Sequence, residues 1–482
     1  MNRTDHTDAS AQSVDKSIVL FVASLASFLS SVMGSAVNVA IPTIGNEFSV
    51  DAVTLSWIPT AFLLGVATFL VPAGRLADIH GRKRVFLIGV CGWTVVSLLC
   101  ALAPSPILLI AFRGLQGIAG ALFFGNSTAI VTSVYPPTER GRALGISVAA
   151  VYAGLTVGPS VGGVMTQQLG WRSMFFLNAA LGLVIIALIL GKMQAEWAEA
   201  RGEKLDLVGS MLFGMALVAI IYGFSALPAM TGAWLILAGV VALAAFVGWE
   251  IRVPNPVLDI NLFRRNTVFA FSNLAALINY SATFAITFLL SLYLQYVRGL
   301  DPQTAGLVLL AQPATMFLFS PLAGRLSDHV EPRLVASAGM AITTVGLVLL
   351  ALLNDSSALE YVVLSLVVAG FGFALFSSPN TNAVMSSVER RSLGVASATL
   401  SSMRSVGQAL SMGMATLIIA VWVGNVQITP RHHAAFSTAF SLAFTIFAAL
   451  CLVGVFSSLA RGRLRERATT MPHGETPPTS RR

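Results

Sequence analysis

The chain is 482 residues long, 56% hydrophobic and 10% charged, with a formal net charge of +8. Soluble domains carry about 25% charged residues, and a soluble globule of this size cannot hide so much apolar surface from water. A soluble enzyme or binding domain is therefore excluded, and so is a nucleic-acid partner, because the basic residues are spread over many short loops with no single basic face.

Apolar stretches of about 20 residues or more, long enough to cross a bilayer as helices, recur from end to end. In chain order they fall at roughly 17–41, 54–76, 84–103, 106–134, 142–167, 171–191, 206–227, 232–251, 267–297, 304–326, 332–353, 359–385, 392–422 and 434–459, about fourteen spans. An even number puts both chain ends on one side. With the ends in the cytoplasm, 24 of the 29 Lys and Arg residues lie inside, three lie outside (Arg172, Arg298, Arg431) and two lie within spans (Arg113, Arg404). Positive charge is retained inside, so the net charge is a topology signal. The tail residues Arg461, Arg463, Arg465 and Arg467 are expected to meet anionic headgroups.

No cleavable leader is expected, since Asp5, Asp8 and Asp15 precede an apolar run long enough to remain in the membrane. Cys91, Cys100 and Cys451 fall inside spans and read as small packing residues. No nucleophile–base set, metal-ligand cluster or phosphate-binding glycine run is visible. The expectation is a protein that is not an enzyme and that holds no metal and no cofactor.

The chain repeats itself. Gly74-Arg75-Leu76-Ala77-Asp78-Ile79-His80-Gly81-Arg82-Lys83-Arg84 follows the second span, and Gly324-Arg325-Leu326-Ser327-Asp328 follows the tenth. Ala121-Leu122-Phe123-Phe124 and Asn126-Ser127-Thr128-Ala129 align with Ala374-Leu375-Phe376-Ser377 and Asn380-Thr381-Asn382-Ala383. Charged turns follow, Glu139-Arg140-Gly141-Arg142 and Glu389-Arg390-Arg391. Matching order and spacing predict two parallel six-helix repeats, spans 1–6 and 9–14. Spans 7 and 8 belong to neither and read as an inserted hairpin packed on the outside. The expected divisions are 1–195, the first bundle; 196–262, the hairpin with its cytoplasmic linkers; 263–460, the second bundle; and 461–482, the basic tail.

Three motifs make this pattern specific: the loop after span 2; Arg113-Gly114-Leu115-Gln116-Gly117 in span 4; and Gly154-Leu155-Thr156-Val157-Gly158-Pro159-Ser160-Val161-Gly162-Gly163 in span 5, with Gly170-Trp171-Arg172 entering span 6. With them the chain resembles the fourteen-span drug:proton antiporters of the major facilitator superfamily over nearly its whole length. The fold so implied is all-α and integral to the membrane, two six-helix repeats plus the hairpin. The implied activity is export of small lipophilic compounds, powered by the transmembrane proton gradient, by a monomer in the plasma (inner) membrane.

The resemblance makes the span 2–3 loop a cytoplasmic gate, with Gly74, Arg75, Asp78, Gly81 and Arg82 as its residues and Arg325 and Asp328 as a weaker counterpart lacking the trailing basic cluster. Gly154, Gly158 and Gly162 fall four apart and present a small face where helix backbones approach closely. Pro159 bends the helix, and the resemblance implies that this motif seals the two halves against leakage. Arg113 is charged inside an apolar span, where a central Arg costs about 2.5–3.5 kcal/mol, and Gln116 shares its face. Arg113, Gln116 and Arg404, with Asn38, Asn279, Tyr280 and Asn380, form the expected substrate cavity.

One departure stands out. Antiporters of this type carry an acid in span 1, five residues before the Asn of the run matching Asn38-Val39-Ala40-Ile41-Pro42; here Met33 holds that position. No Asp or Glu lies deep in any expected span. Either proton coupling is absent or it uses a gate group such as Asp78, and the cavity is expected to be net positive. Two readings stay open beside drug export: a carrier of anionic or zwitterionic metabolites held by intramembrane Arg residues, and a lipid flippase.

Overall fold

The computed structural model describes residues 15–136, 139–193, 195–197, 203, 205–254, 256–258, 260–388 and 393–462. The tail residues Arg463, Arg465 and Arg467 and the turn Glu389-Arg390-Arg391 lie outside these, as do the side chains of Arg140, Arg142 and Asp328.

Among the described residues, fourteen helical segments are long and apolar enough to cross a membrane: Lys16–Phe48, Ala52–His80, Arg82–Ala101, Pro106–Val134, Ala143–Leu169, Arg172–Lys192, Leu207–Ala226, Met230–Glu250, Thr267–Val297, Pro302–Ser327, Pro332–Ala351, Leu359–Ser386, Val395–Trp422 and Pro430–Ala460. They are spans 1–14 below. The face carrying residues 15 and 462 is called proximal, the opposite face distal.

The ends of the helices follow local chemistry. Asp15, Asp51 and Asp301 each cap the helix they precede, their carboxylates accepting from the backbone N–H groups of Ser17, Thr54 and Thr304, as unsatisfied first-turn donors require. The Thr304 hydroxyl and N–H hold the Asp301 carboxyl below the usual carboxylate range. Span 1 runs seven residues past its expected end. Pro42 lies inside it, and Gln295 Nε2 and Tyr296 Oη of span 9 donate to the neighbouring carbonyls of Val39 (2.8 Å) and Pro42 (3.1 Å). Outside help of this kind lets a membrane helix tolerate proline. Span 9 itself is interrupted near Phe284–Ala285 and finishes in a π turn, Tyr293–Val297. There the hydroxyl of Ser411 in span 13 accepts from the Ala285 N–H at 3.0 Å.

Spans 1–6 pack on one another, and so do spans 9–14. Between the two groups, span 1 meets span 9, span 5 meets span 10, and span 2 meets span 13. Span 7 sits against the last of these seams. Ser225 accepts from Trp57 Nε1 of span 2 at 2.8 Å, and a Cβ on Gly413 of span 13 would touch the ring of Phe224 at 3.1 Å. The hairpin therefore covers the seam between the two groups.

Candidate functional site

Spans 1 and 5 are joined by a ridge in a groove. Ser27, Ser31 and Ser35 recur every fourth residue on span 1, their hydroxyls returned to the carbonyls of Ala23, Ser27 and Ser31. Opposite them stand Gly154, Gly158 and Gly162. A Cβ on Gly158 would lie 1.9 Å from Ser35 Oγ, and one on Gly162 would lie 2.7 Å from the Ala36 backbone. Gly154, Gly158 and Gly162 thus pack within the first group of spans, and of the motif expected to seal one half against the other only Pro159 and Gly163 face the second half. Contact across the halves comes from the neighbouring face of the same helix. Gly306 of span 10 lies against the Pro159 carbonyl, and Gly163 lies against Pro302 and Gln303.

That contact is one part of a distal closure. Thr416 Oγ1 donates to Ser56 Oγ at 2.8 Å, Ala52 N to the Val426 carbonyl at 3.1 Å, and Gln303 N to Gln167 Oε1 at 3.1 Å. With the Gln295 and Tyr296 bonds, these tie the halves together near the distal face. Toward the proximal face, Cβ positions on Gly74 of span 2 and Gly145 of span 5 meet nothing within 4 Å.

At mid-depth the halves meet through polar and aromatic side chains. Tyr152 of span 5 shares a 3.0 Å hydrogen bond with Ser377 of span 12. Beside it, Arg404 Nη2 of span 13 donates to Thr381 Oγ1, and the guanidinium lies 5.6 Å from the ring centroid of Tyr280 in span 9. Tyr280 meets Phe373 edge-on at 5.2 Å. Arg404 Nε is buried without a hydrogen-bond partner. The cluster offers a cation with a free donor, two phenols and two aliphatic hydroxyls, with no carboxylate among the contacts described.

Other expected cavity residues lie elsewhere. Arg113, 1% exposed, is enclosed within the first group. It donates to Gln116 Oε1 and to the Ile58 carbonyl (3.4 Å), and its guanidinium lies 4.4 Å from the centroid of the Phe62 ring. Gln116 donates to Ser97 Oγ at 2.8 Å, which also accepts from Asn178 at 2.7 Å. This network knits spans 2, 3, 4 and 6, so Arg113 and Gln116 are corrected from cavity lining to the interior of one bundle. Asn380 is corrected likewise: it donates to the Ser272 carbonyl and accepts from Arg461. Arg461, read as part of a lipid-facing tail, is 1% exposed and held by Ser458 and Ser272 as well. Asn38 and Asn279 are buried, the first with its Oδ1 and the second with both amide atoms unpaired.

Near the proximal face, Asp78 pairs with Arg82 at 2.9 Å across the turn from span 2 to span 3, and Arg82 also donates to Ser133 of span 4. Arg75 pairs with Glu203. Gly81 adopts φ +113°, open to glycine and strained for other residues. In the second repeat Arg325 is exposed, and Ser327 accepts from Asn382 at 3.0 Å.

Tyr152, Ser377 and Thr381 were not anticipated. Two carried a faint signal: Tyr152 is a lone phenol two residues before the glycine face, and Thr381 lies between Asn380 and Asn382.

The Major Facilitator Superfamily profile matches residues 23–207 and 272–480, and the interval between covers the hairpin. Multidrug resistance protein Stp of Mycobacterium tuberculosis is 33% identical over 80% of this chain and 73% of its own length. Riboflavin transporter RibZ of Clostridioides difficile is 28% identical over 91% and 96%. A crystal structure of a bacterial homologue of the human lysosomal transporter Spinster, inward-facing and unoccupied, aligns with a TM-score of 0.69 at 17% identity, covering 92% of this chain and 97% of that one.

Proposed function

The chain belongs to the Major Facilitator Superfamily, and we propose that this membrane transporter is a proton-driven exporter of small lipophilic compounds that works by alternating access. The observation that carries the reading is the mid-depth cluster of Tyr152, Ser377, Thr381, Arg404 and Tyr280, built from both halves and lying inward of a closed distal face. A site at the interface of two rocking repeats is where such carriers bind cargo. The names of two relatives, a multidrug resistance protein and a riboflavin transporter, support transport of drug-like and flat heteroaromatic molecules.

The excess of Lys and Arg on the proximal side supports cytoplasmic chain ends, and the bacterial relatives support a plasma-membrane location. The present arrangement, shut on the distal side, is then the inward-facing state of a monomer. Asp78 and Arg82 splint the loop at the cytoplasmic gate. With Met33 in place of the span 1 acid, the coupling proton is assigned to the gate, with Asp78 as its carrier.

Electrostatics favour one end of the cargo range. A cluster with an unpaired Arg404 donor and no carboxylate suits neutral, zwitterionic or anionic aromatics better than bare cations. Inside-out vesicles with an imposed proton gradient test both parts. Lipophilic acids and flat neutral heteroaromatics should collapse the gradient, and quaternary cations should not. Uptake of labelled cargo with the gradient left intact would remove proton coupling and leave facilitated transport.

Asp78→Asn should lower turnover several-fold while cargo binding stays within about twofold. The carboxylate is about one-third exposed, and an exposed pair contributes only about 0–1 kcal/mol to folding, so the protein should still assemble. Direct binding measured beside vesicle transport separates the two effects; unchanged turnover removes Asp78 from the gate.

A further inference from the structure

The described residues of the linker after span 6 are fastened to the gate loop. Span 3 begins at Arg82 after Gly81, which has no side chain with which to cap it. Glu196 supplies the cap from outside: its Oε1 accepts from the Lys83 backbone N–H at 2.9 Å, and its Oε2 lies 3.6 Å from Arg84 Nε. A carboxylate there also meets the positive end of the helix dipole. The next residue adds a backbone tie, Arg82 N donating to the Trp197 carbonyl at 2.8 Å. Further along, Glu203 pairs with Arg75 at the end of span 2.

Gly81 makes the arrangement possible. A Cβ there would stand 2.5 Å from Glu196 Cδ, so the loop leaves room for this carboxylate as well as adopting its positive φ. Three residues after Glu203, Asp206 caps span 7 through the Gly209 N–H. Span 7 then lies on span 2, with a Cβ on Gly214 falling 2.8 Å from Thr68 and with the Trp57–Ser225 bond further along. The gate loop, the linker and the inserted hairpin are thus linked in series on the first bundle.

We propose that the linker residues Glu196, Trp197 and Glu203 act as a strap that splints the gate loop, with Glu196 as its positioning residue, and that these ties make the hairpin travel with the first bundle as one body. The gain for a carrier is stiffness. The loop must transmit the rocking of spans 2 and 3 without flexing, and a backbone-capped, double-tied turn does so where a bare Gly81 turn would not. The hairpin, carried along, keeps the span 2–span 13 seam covered as the bundles move. This inference rests on the transport reading alone and not on proton coupling.

The test uses the full-length protein in proteoliposomes. Glu196→Ala should raise hydrogen exchange of the Arg82 and Lys83 amides about tenfold or more. It should also lower turnover at least about fivefold, measured as exchange of labelled cargo across the membrane without any proton gradient, with cargo Kd within about twofold. Glu196→Gln keeps an amide oxygen for the Lys83 N–H and should restore at least half of both effects. Arg84→Ala removes only an exposed pair and should change little. Unaltered exchange of the two amides in the alanine variant would show that the strap does not hold the loop. Faster exchange with normal turnover would show that holding it is irrelevant to transport. Should the alanine variant fail to reach the membrane, Glu196→Asp, with its shorter reach, must show the same paired loss of protection and turnover, and normal values there overturn the proposal. Failure of gradient-driven transport with normal cargo exchange bears on the proton reading and leaves the strap untouched.

Discussion

Replacing Arg404 with alanine should cut export of acidic aromatic cargo by roughly 10- to 100-fold while leaving the protein folded and abundant. A hydrogen bond to a charged group contributes about 1.5–3 kcal/mol, which sets that range. The folding half of the prediction separates a ligand-binding role from a structural one. Arg404 is held by one hydroxyl, Thr381, and the face of one ring, Tyr280, and its Nε has no partner. Removing a poorly paired cation from a membrane helix should spare an insertion cost of about 2.5–3.5 kcal/mol. The variant should therefore be as heat-resistant as the parent, or more so. Arg404→Lys should recover part of the activity, because an ammonium keeps the charge and loses the planar fork. Arg113→Ala makes the control. That change strips Gln116 of a partner inside the Ser97–Asn178 network, and a buried polar group left unpaired costs about 1–3 kcal/mol, so it should lose stability first. If Arg404→Ala unfolds the protein and Arg113→Ala transports poorly without unfolding, the two roles are exchanged and the mid-depth site is wrongly placed.

The contrast shows what could be read from residues alone. The spans, their number and their repeat were legible because each rests on composition and short-range order: a run of about 20 apolar residues forms a membrane helix whatever it touches. The charge of Arg113 was equally legible, but its neighbours were not. Helical spacing put Gln116 on its face, and nothing in spans 2, 3 and 6 announced that Ile58, Phe62 and Ser97 would close around the pair. Arg404 posed the reverse case. Its partners lie on spans 9 and 12, at positions where Tyr280 and Thr381 look like ordinary polar residues of membrane helices. Asn380 misled for a third reason: its place in the repeat suggested a cavity, and the arginine that occupies it, Arg461, lies 81 positions away at what seemed the start of a tail. Glu196 was hidden because a carboxylate in a polar linker has no pattern until the helix end it caps is located.

The span 5 glycines divide by the surface they face, and this predicts two different failures. Gly306→Val places branched carbon where a Cβ alone would already sit 2.3 Å from the Pro159 carbonyl oxygen, and Gly163→Val does the same against the Pro302 carbonyl at 2.5 Å. Both obstructions are backbone atoms, which cannot rotate aside, so spans 5 and 10 must separate. Overpacking of this kind costs about 1–3 kcal/mol. In an alternating-access carrier that cost falls on the distal-closed state alone, since spans 5 and 10 part when the distal side opens. A penalty of this size moves the equilibrium by roughly 5- to 150-fold toward the open distal face, and turnover should fall to a similar degree because the cycle must pass through the disfavoured state. The readout is Thr416→Cys, a position now 2% exposed and bonded across the halves to Ser56, probed from the distal side with a membrane-impermeant maleimide in a background lacking Cys91, Cys100 and Cys451. Labelling should be several-fold faster in either valine variant than in the parent. Gly158→Val clashes instead with Ser35 and the Val32 carbonyl inside the first bundle, a contact needed in every state. It should reduce the folded yield and leave the labelling rate of the surviving protein unchanged. Equal labelling across all three valine variants would mean that span 5 slides on span 1 as much as on span 10, and that the two halves do not move as rigid bodies.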